Sequence, residues 1–167
     1  MYNWKTVLKL EGRMKREGKK TIAKNKRAFF DYSIESTIEC GVVLQGTEVK
    51  SAKEGKISFN DSFAEVQGGE VFIKNFSISE YAYSSFFNHR SDRIRKLLLH
   101  KDEIKRLERR VREKGFTLIP LEFYLKNGRL KILLGVCKGR KLFDKRENIK
   151  DRDLKRDMQR EIKKSYL

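Results

Sequence analysis

Asn127-Gly128 stands between two strand-like runs, residues 117–126 and 129–138, and no other feature restricts the fold as strongly. Both turn positions tolerate φ > 0, which a two-residue turn matched to the twist of its strands requires. The chain must therefore reverse there as an antiparallel hairpin. Gly68-Gly69 divides a second pair, residues 58–66 and 70–78, in the same way. Ahead of them, residues 28–44 are rich in β-branched and aromatic side chains, are broken by Gly41, and read as one or two further strands. Pro120, the single proline, cannot donate to a ladder and marks a strand edge or bulge.

Helical signals are fewer. Residues 46–53 form a short candidate ended by Gly55, with Glu48 suited to a helix N-terminus. In residues 101–114, Ile104, Leu107 and Val111 recur at i, i+3 and i+7 before Gly115. Five or six antiparallel strands with one or two helices predict a mainly β fold, a small OB-like Greek-key barrel with flanking helices.

The charge is unevenly placed. Of a net +17, residues 1–27 carry 10 basic and 2 acidic side chains, residues 138–167 carry 12 and 6, and the long middle carries 18 and 15. A nearly neutral body between two cationic ends calls for a polyanionic partner. The expected division is a flexible basic extension over residues 1–20, a barrel over 21–143 and a basic tail over 144–167 that folds only when bound. Residues 1–27 show no sustained period and read as an arm. Met14 opens a compact basic lead into the body, so it is a candidate for the true start of translation.

Catalytic chemistry finds little support. His89 and His100 have no nucleophile or metal-type partner at local spacing, and structural roles are favoured. Asp31, Glu35, Glu39 and Glu48 fit no metal motif, and Cys40 and Cys137, in separate apolar runs, read as reduced core thiols. Lys138-Gly139-Arg140-Lys141 lacks the glycine spacing and Lys-Ser/Thr pair of a phosphate loop. No enzyme, metal or cofactor is expected. No stretch approaches the length of a membrane span and no secretory signal is evident, which places the chain in the cytoplasm.

Binding motifs are more informative. Lys24, Asn25, Lys26 and Arg27 put three cations and an amide directly before the first expected strand, a set suited to phosphates and sugar or base edges, although a solvated arm has the same composition. Arg93, Arg95 and Lys96 join a cationic cluster to the leucines at 97–99, as in a strand that holds its cations over RNA or simply at a charged surface edge. The residues alone thus lead to a small β-rich RNA-binding body with basic arms.

Eight blocks, in order, carry a resemblance: TIAKNKRA at 21–28, IECG at 38–41, LQGTEVKS at 44–51, NDSF at 60–63, RIRKLLLHKDEI at 93–104, GFTLIPL at 115–121, KNGRLK at 126–131 and GVCKGRKLFDKR at 135–146. Over about residues 21–146 the chain resembles the small protein B family. The resemblance implies a non-catalytic adaptor that binds the tRNA-like part of transfer-messenger RNA and brings it to stalled ribosomes. It also implies ribosomal RNA of the small-subunit decoding centre and mRNA channel as partners, elongation factor Tu in the delivery complex, and a monomeric protein.

The family's RNA-binding positions fall here on Lys24, Asn25, Lys26, Arg27, Glu39 and Leu98 within the Arg95-Lys96 block, with Leu98 expected to support the surface from beneath; Lys50 and Lys138 are further candidate RNA contacts. Its tail corresponds to Asp144, Lys145 and Arg146, followed in character by Lys150, Arg152, Lys155 and Arg156. Ser91, Cys137 and Arg140 depart from the usual proline, alanine and lysine, and none of these removes a charge. A general OB-like RNA chaperone or ribosome-associated protein would account for the charge and the barrel, but not for the ordered blocks.

Overall fold

The computed structural model describes residues 18–84 and 88–140, together with Met158. The expected arm before residue 18, the Met14 start and the tail at 144–167 lie outside the described residues apart from Met158. The first strand, β1, spans Lys19–Lys24 and leads into the one-and-a-half-turn helix α1, Lys26–Asp31. Strand β2 (Tyr32–Val42) is followed by helix α2 (Gly46–Lys53), then by β3 (Ile57–Ser58), β4 (Phe63–Gln67), β5 (Glu70–Lys74), β6 (Ser77–Ile78) and β7 (Arg95–Leu98). Helix α3 (Lys101–Arg112) precedes the long hairpin of β8 (Phe116–Lys126) and β9 (Arg129–Gly139).

The hairpins form as their turns require. Asn127 and Gly128 have φ of 49° and 74°, and Gly68 and Gly69 have 59° and 75°. Around the main sheet the order is β1-β8-β4-β5-β7-β2-β9, and β9 pairs back onto β8. That last pairing closes a six-stranded antiparallel barrel of β8, β4, β5, β7, β2 and β9, with β1 sharing one edge of β8 with β4. A short β3-β6 ladder lies outside it. The mainly β expectation holds.

Alternation sends Cys40, Ile73, Leu97, Phe123, Ile132 and Leu134 into the barrel, and the Phe59, Phe76 and Phe123 rings meet at centroid distances of 5.4 and 5.7 Å. The stripe of α3 lies against this core through Ile104, Leu107 and Val111. Both cysteines are buried thiols, Cys40 pushed up to about 12 by burial and Cys137 to about 11.

Two expectations need correction. Residues 19–24, read as part of an arm, form a strand, and residues 26–31, read in part as the start of a strand, form a helix. Both follow from one feature of β8. The β8-β9 register shifts between Pro120 and Glu122, so Ile119 and Leu121 turn outward to join Cys137 and Ala28 in a second apolar cluster. The carbonyls of Pro120 and Leu121 then accept from Asn25, its side chain at 2.9 Å and its backbone at 2.8 Å. The chain is pinned as it leaves β1, and Asn25 Oδ1 accepts from the Ala28 amide at 3.0 Å to cap α1. Such a cap contributes about 1 kcal/mol. Helix α1 therefore rests as a short bar on the outer face of the barrel.

Candidate nucleic-acid interface

The register brings separate sequence blocks into rows on that outer face. Leu98 on β7 pairs with Gly41 on β2, Gly41 with Lys131 on β9, Lys131 with Tyr124 on β8, and Tyr124 with Thr21 on β1. The neighbouring row runs Glu39, Leu133, Glu122, Lys24, and beyond Tyr124 lie Arg129, Lys126 and Lys19. Paired residues of an antiparallel ladder point to the same side. Expected residues Lys24, Glu39 and Leu98 thus share one surface although 74 positions separate the first from the last.

A continuous polar network ties the rows together. Glu39 accepts from the Tyr124 hydroxyl at 2.6 Å, from Lys126 at 3.0 Å and from Lys131. Lys19 lies 4.0 Å above the Tyr124 ring and donates to Glu122 at 2.8 Å, while Lys24 reaches the other Glu122 oxygen at 3.2 Å. Burial alone would raise the Glu39 carboxyl, but the bonds from Lys131, Tyr124 and Lys126 outweigh it and bring it down to about 2. Glu122 is lowered in the same way by Lys19 and Lys24 against its burial. Both are anions at neutral pH. Their chemistry here is to space and hold cations: two carboxylates organise Lys19, Lys24, Lys126 and Lys131 on a rigid sheet.

The other expected residues separate clearly. Asn25 is 9% exposed and spends its amide on the bulge and the helix cap, so within the fold it positions the cations beside it. Lys26 and Arg27 stand exposed on α1, Arg27 reaching Asp31 at 3.2 Å and Asp61 at 3.5 Å. Lys96 is on the outer parity of β7 and pairs with Glu70. Lys50, on α2, lies over the Tyr81 ring at 5.3 Å. Lys138 is exposed over Phe116 at the far end of the β8-β9 ladder, outside the rows.

Two assignments change. Leu98 does not support the surface from beneath: it is 52% exposed and lies across Gly41, where a Cβ would come within 3.1 Å of the Leu98 Cβ. Arg95 is not a surface cation. Its guanidinium is 0% exposed, donates to Glu48 at 2.8 Å, and also serves the carbonyls of Phe76, Arg93 and Ser91. Strand alternation explains both, because Arg95 and Leu97 share the inward parity of β7 while Lys96 and Leu98 take the outward one.

Lys19, Glu122, Tyr124, Lys126 and Lys131 were missed as site residues, and most carried a usable signal. A two-residue Asn-Gly turn fixes pairing as 126 with 129 and 124 with 131, which places Tyr124, Lys126 and Lys131 together from sequence alone. The link to Lys19 needed β1, which had no apolar period to reveal it. Among the described residues no group of three or more His, Cys, Asp or Glu side chains is arranged to hold a metal ion. Nor is any helix there long and apolar enough to cross a membrane.

Comparison with known proteins bears on the family, through sequence and fold. A family model described as SmpB protein matches residues 22–164. A Treponema denticola protein named SsrA-binding protein is 70% identical over 144 residues, which are 86% of this chain and 94% of that one. A Treponema pallidum protein of the same name is 55% identical over 149 residues, 89% of this chain and 97% of that one. A solved chain from work headed "tmRNA-SmpB: a journey to the center of the bacterial ribosome" shares 45% identity with a TM-score of 0.62, covering 72% of this chain and 85% of its own. With a family model matched over residues 22–164 and relatives matched over nearly their whole length, the chain belongs to the SmpB protein family.

Proposed function

We propose that the chain binds the tRNA-like domain of transfer-messenger RNA through the outer face of β7, β2, β9, β8 and β1, and delivers it to stalled ribosomes in trans-translation. The observation that carries this reading is the row of cations held by Glu39 and Glu122 beside the exposed Leu98. Fixed ammonium groups attract phosphates, and a shaped sheet with one apolar step favours a folded RNA elbow over a regular helix. The names of the relatives and the heading of the solved structure point to the same RNA and to the ribosome.

In this reading the chain acts as a monomer in a delivery complex with elongation factor Tu. Its tail, beginning at Asp144, Lys145 and Arg146 and continuing through Lys150, Arg152, Lys155 and Arg156, enters the vacant mRNA channel and the decoding centre. Occupied by mRNA, the channel refuses the tail, so docking reports the stall. A general RNA-chaperone role is the second reading, and the distinction lies in selectivity.

Removing cations from the face tests its part in binding. Each phosphate left without its neutralising cation lowers the slope of log affinity against log salt by about 1. Lys24→Ala and Lys131→Ala combined are expected to flatten that slope by about 2 in fluorescence titrations of the tRNA-like fragment. An unchanged slope would place the RNA on another face.

A further inference from the structure

The loop between β6 and β7 carries a feature that the cationic face does not use. Tyr83 is 82% exposed, and Tyr81 stands beside it with ring centroids 5.6 Å apart and planes inclined at 63°. An edge-on pair with one ring so exposed leaves a face of Tyr83 open to solvent. Two cations stand by the pair: Lys50 of α2 lies over the Tyr81 ring, and Lys56, just past the end of α2, lies near both tyrosines. Glu54 pairs with Lys56 at 2.8 Å and neutralises only part of this charge.

The base of the loop is tied at several points. Tyr81 and Asn88 exchange two hydrogen bonds, Tyr81 N to Asn88 Oδ1 at 3.1 Å and Asn88 Nδ2 to the Tyr81 carbonyl at 2.9 Å. The buried His89 ring bridges Thr47 Oγ1 at 2.9 Å and the Ile78 carbonyl at 3.0 Å. Ser51 Oγ donates to the Ser79 carbonyl at 2.6 Å, and Ser79 N to the Lys56 carbonyl at 3.0 Å. An exposed aromatic on a braced support is pre-organised, so a partner that stacks on it loses little to ordering of the protein.

We propose that Tyr83, backed by Tyr81 and flanked by Lys50 and Lys56, is a stacking site for an unpaired nucleobase of RNA, the lysines taking its flanking phosphates. Single-stranded RNA is held in this way, bases on aromatic rings and backbone along cations, with little preference among bases. The inference rests on the RNA-binding reading above and adds to it a second contact with its own chemistry, separate from the rows on the sheet. It also gives Lys50, which lies on α2 and not in those strand rows, a partner class.

The test uses the full chain, wild type and with Tyr83→Ala or Tyr83→Phe, titrated separately with the fluorescent tRNA-like fragment and with purified small ribosomal subunits. Tyr83 is exposed, so neither substitution disturbs the core. Tyr83→Ala is expected to weaken one of the two by roughly 5- to 100-fold, the range for loss of one stacked base, while Tyr83→Phe keeps wild-type affinity. Whichever RNA responds is the one that supplies the base. Equal affinity of Tyr83→Ala and wild type for both would overturn the stacking site and leave the function standing. Failure of wild type to bind either would overturn both.

Discussion

Replacing Glu48 by Ala is expected to destabilise the protein by about 3–5 kcal/mol, the loss typical when one partner of a buried ion pair is removed. Glu48 and Arg95 are both 0% exposed, and Glu48 also receives Arg93 Nη2 at 2.6 Å. Truncating Glu48 leaves the Arg95 guanidinium in the core with no counter-charge, an arrangement that low-polarity surroundings penalise heavily. Denaturant unfolding measures it. Glu48→Leu with Arg95→Met removes both charges together and is expected to cost much less than Glu48→Ala alone. A Glu48→Ala variant within about 1 kcal/mol of wild type, the ordinary scale of a surface pair, would show that the ion pair is dispensable.

The pH dependence has a definite sign. Burial raises the Glu48 carboxyl, but bonds from Arg93 and the Gln45 backbone and the charge of Arg95 outweigh it, so the folded pKa lies below the ordinary 4.5. A depressed carboxyl contributes stability that is full above its unfolded pKa and lost as pH falls through the folded one. Wild type should therefore lose stability on acidification from about 4.5 downward more steeply than the Glu48→Leu, Arg95→Met double variant.

Removal of everything after Phe143 is expected to abolish ribosome rescue and leave binding of the tRNA-like fragment at wild-type affinity. The last barrel strand ends at Gly139, and the rows of the sheet face use no residue beyond Leu133. Residues 144–167 hold nine basic and six acidic side chains, with Leu154, Met158, Ile162 and Tyr166 at four-residue spacing. A helix on that pattern gains only about 0.2–0.5 kcal/mol from a pair such as Asp151 with Lys155, so an rRNA surface has to supply the rest. The measurement is release of ribosomes stalled at the end of a truncated message in a reconstituted system, beside an RNA titration of the same protein. Loss of both activities would make the tail part of the RNA site.

What could be read from sequence depended on the kind of force holding each element. Turns with glycine or Asn-Gly and helices with a stop were legible because local chemistry determines them: α2 falls on Gly46–Lys53 and the long hairpin on its expected turn. Strand β1 was not legible, since three of its six residues are lysines and its support comes from the edge of β8. Helix α1 was hidden for a similar reason, its stop and cap depending on a bulge about 95 residues away in sequence. Arg95 and Leu98 show the same limit at the site. A cationic cluster beside leucines indicates a strand, but which of them faces out depends on register, and the burial of Arg95 depends on Glu48, 47 positions earlier.

Selective recognition of one folded RNA is the centre of the account, and a competition at near-physiological salt tests it most directly. A fluorescent tRNA-like fragment of transfer-messenger RNA would be titrated with the full chain and displaced by unlabelled fragment, by a tRNA, or by an equal length of plain RNA duplex. Displacement by the unlabelled fragment at far lower concentration than by either competitor is the predicted result. Equal displacement by all three, weakening together as salt is raised, would contradict it and leave a general RNA-binding barrel.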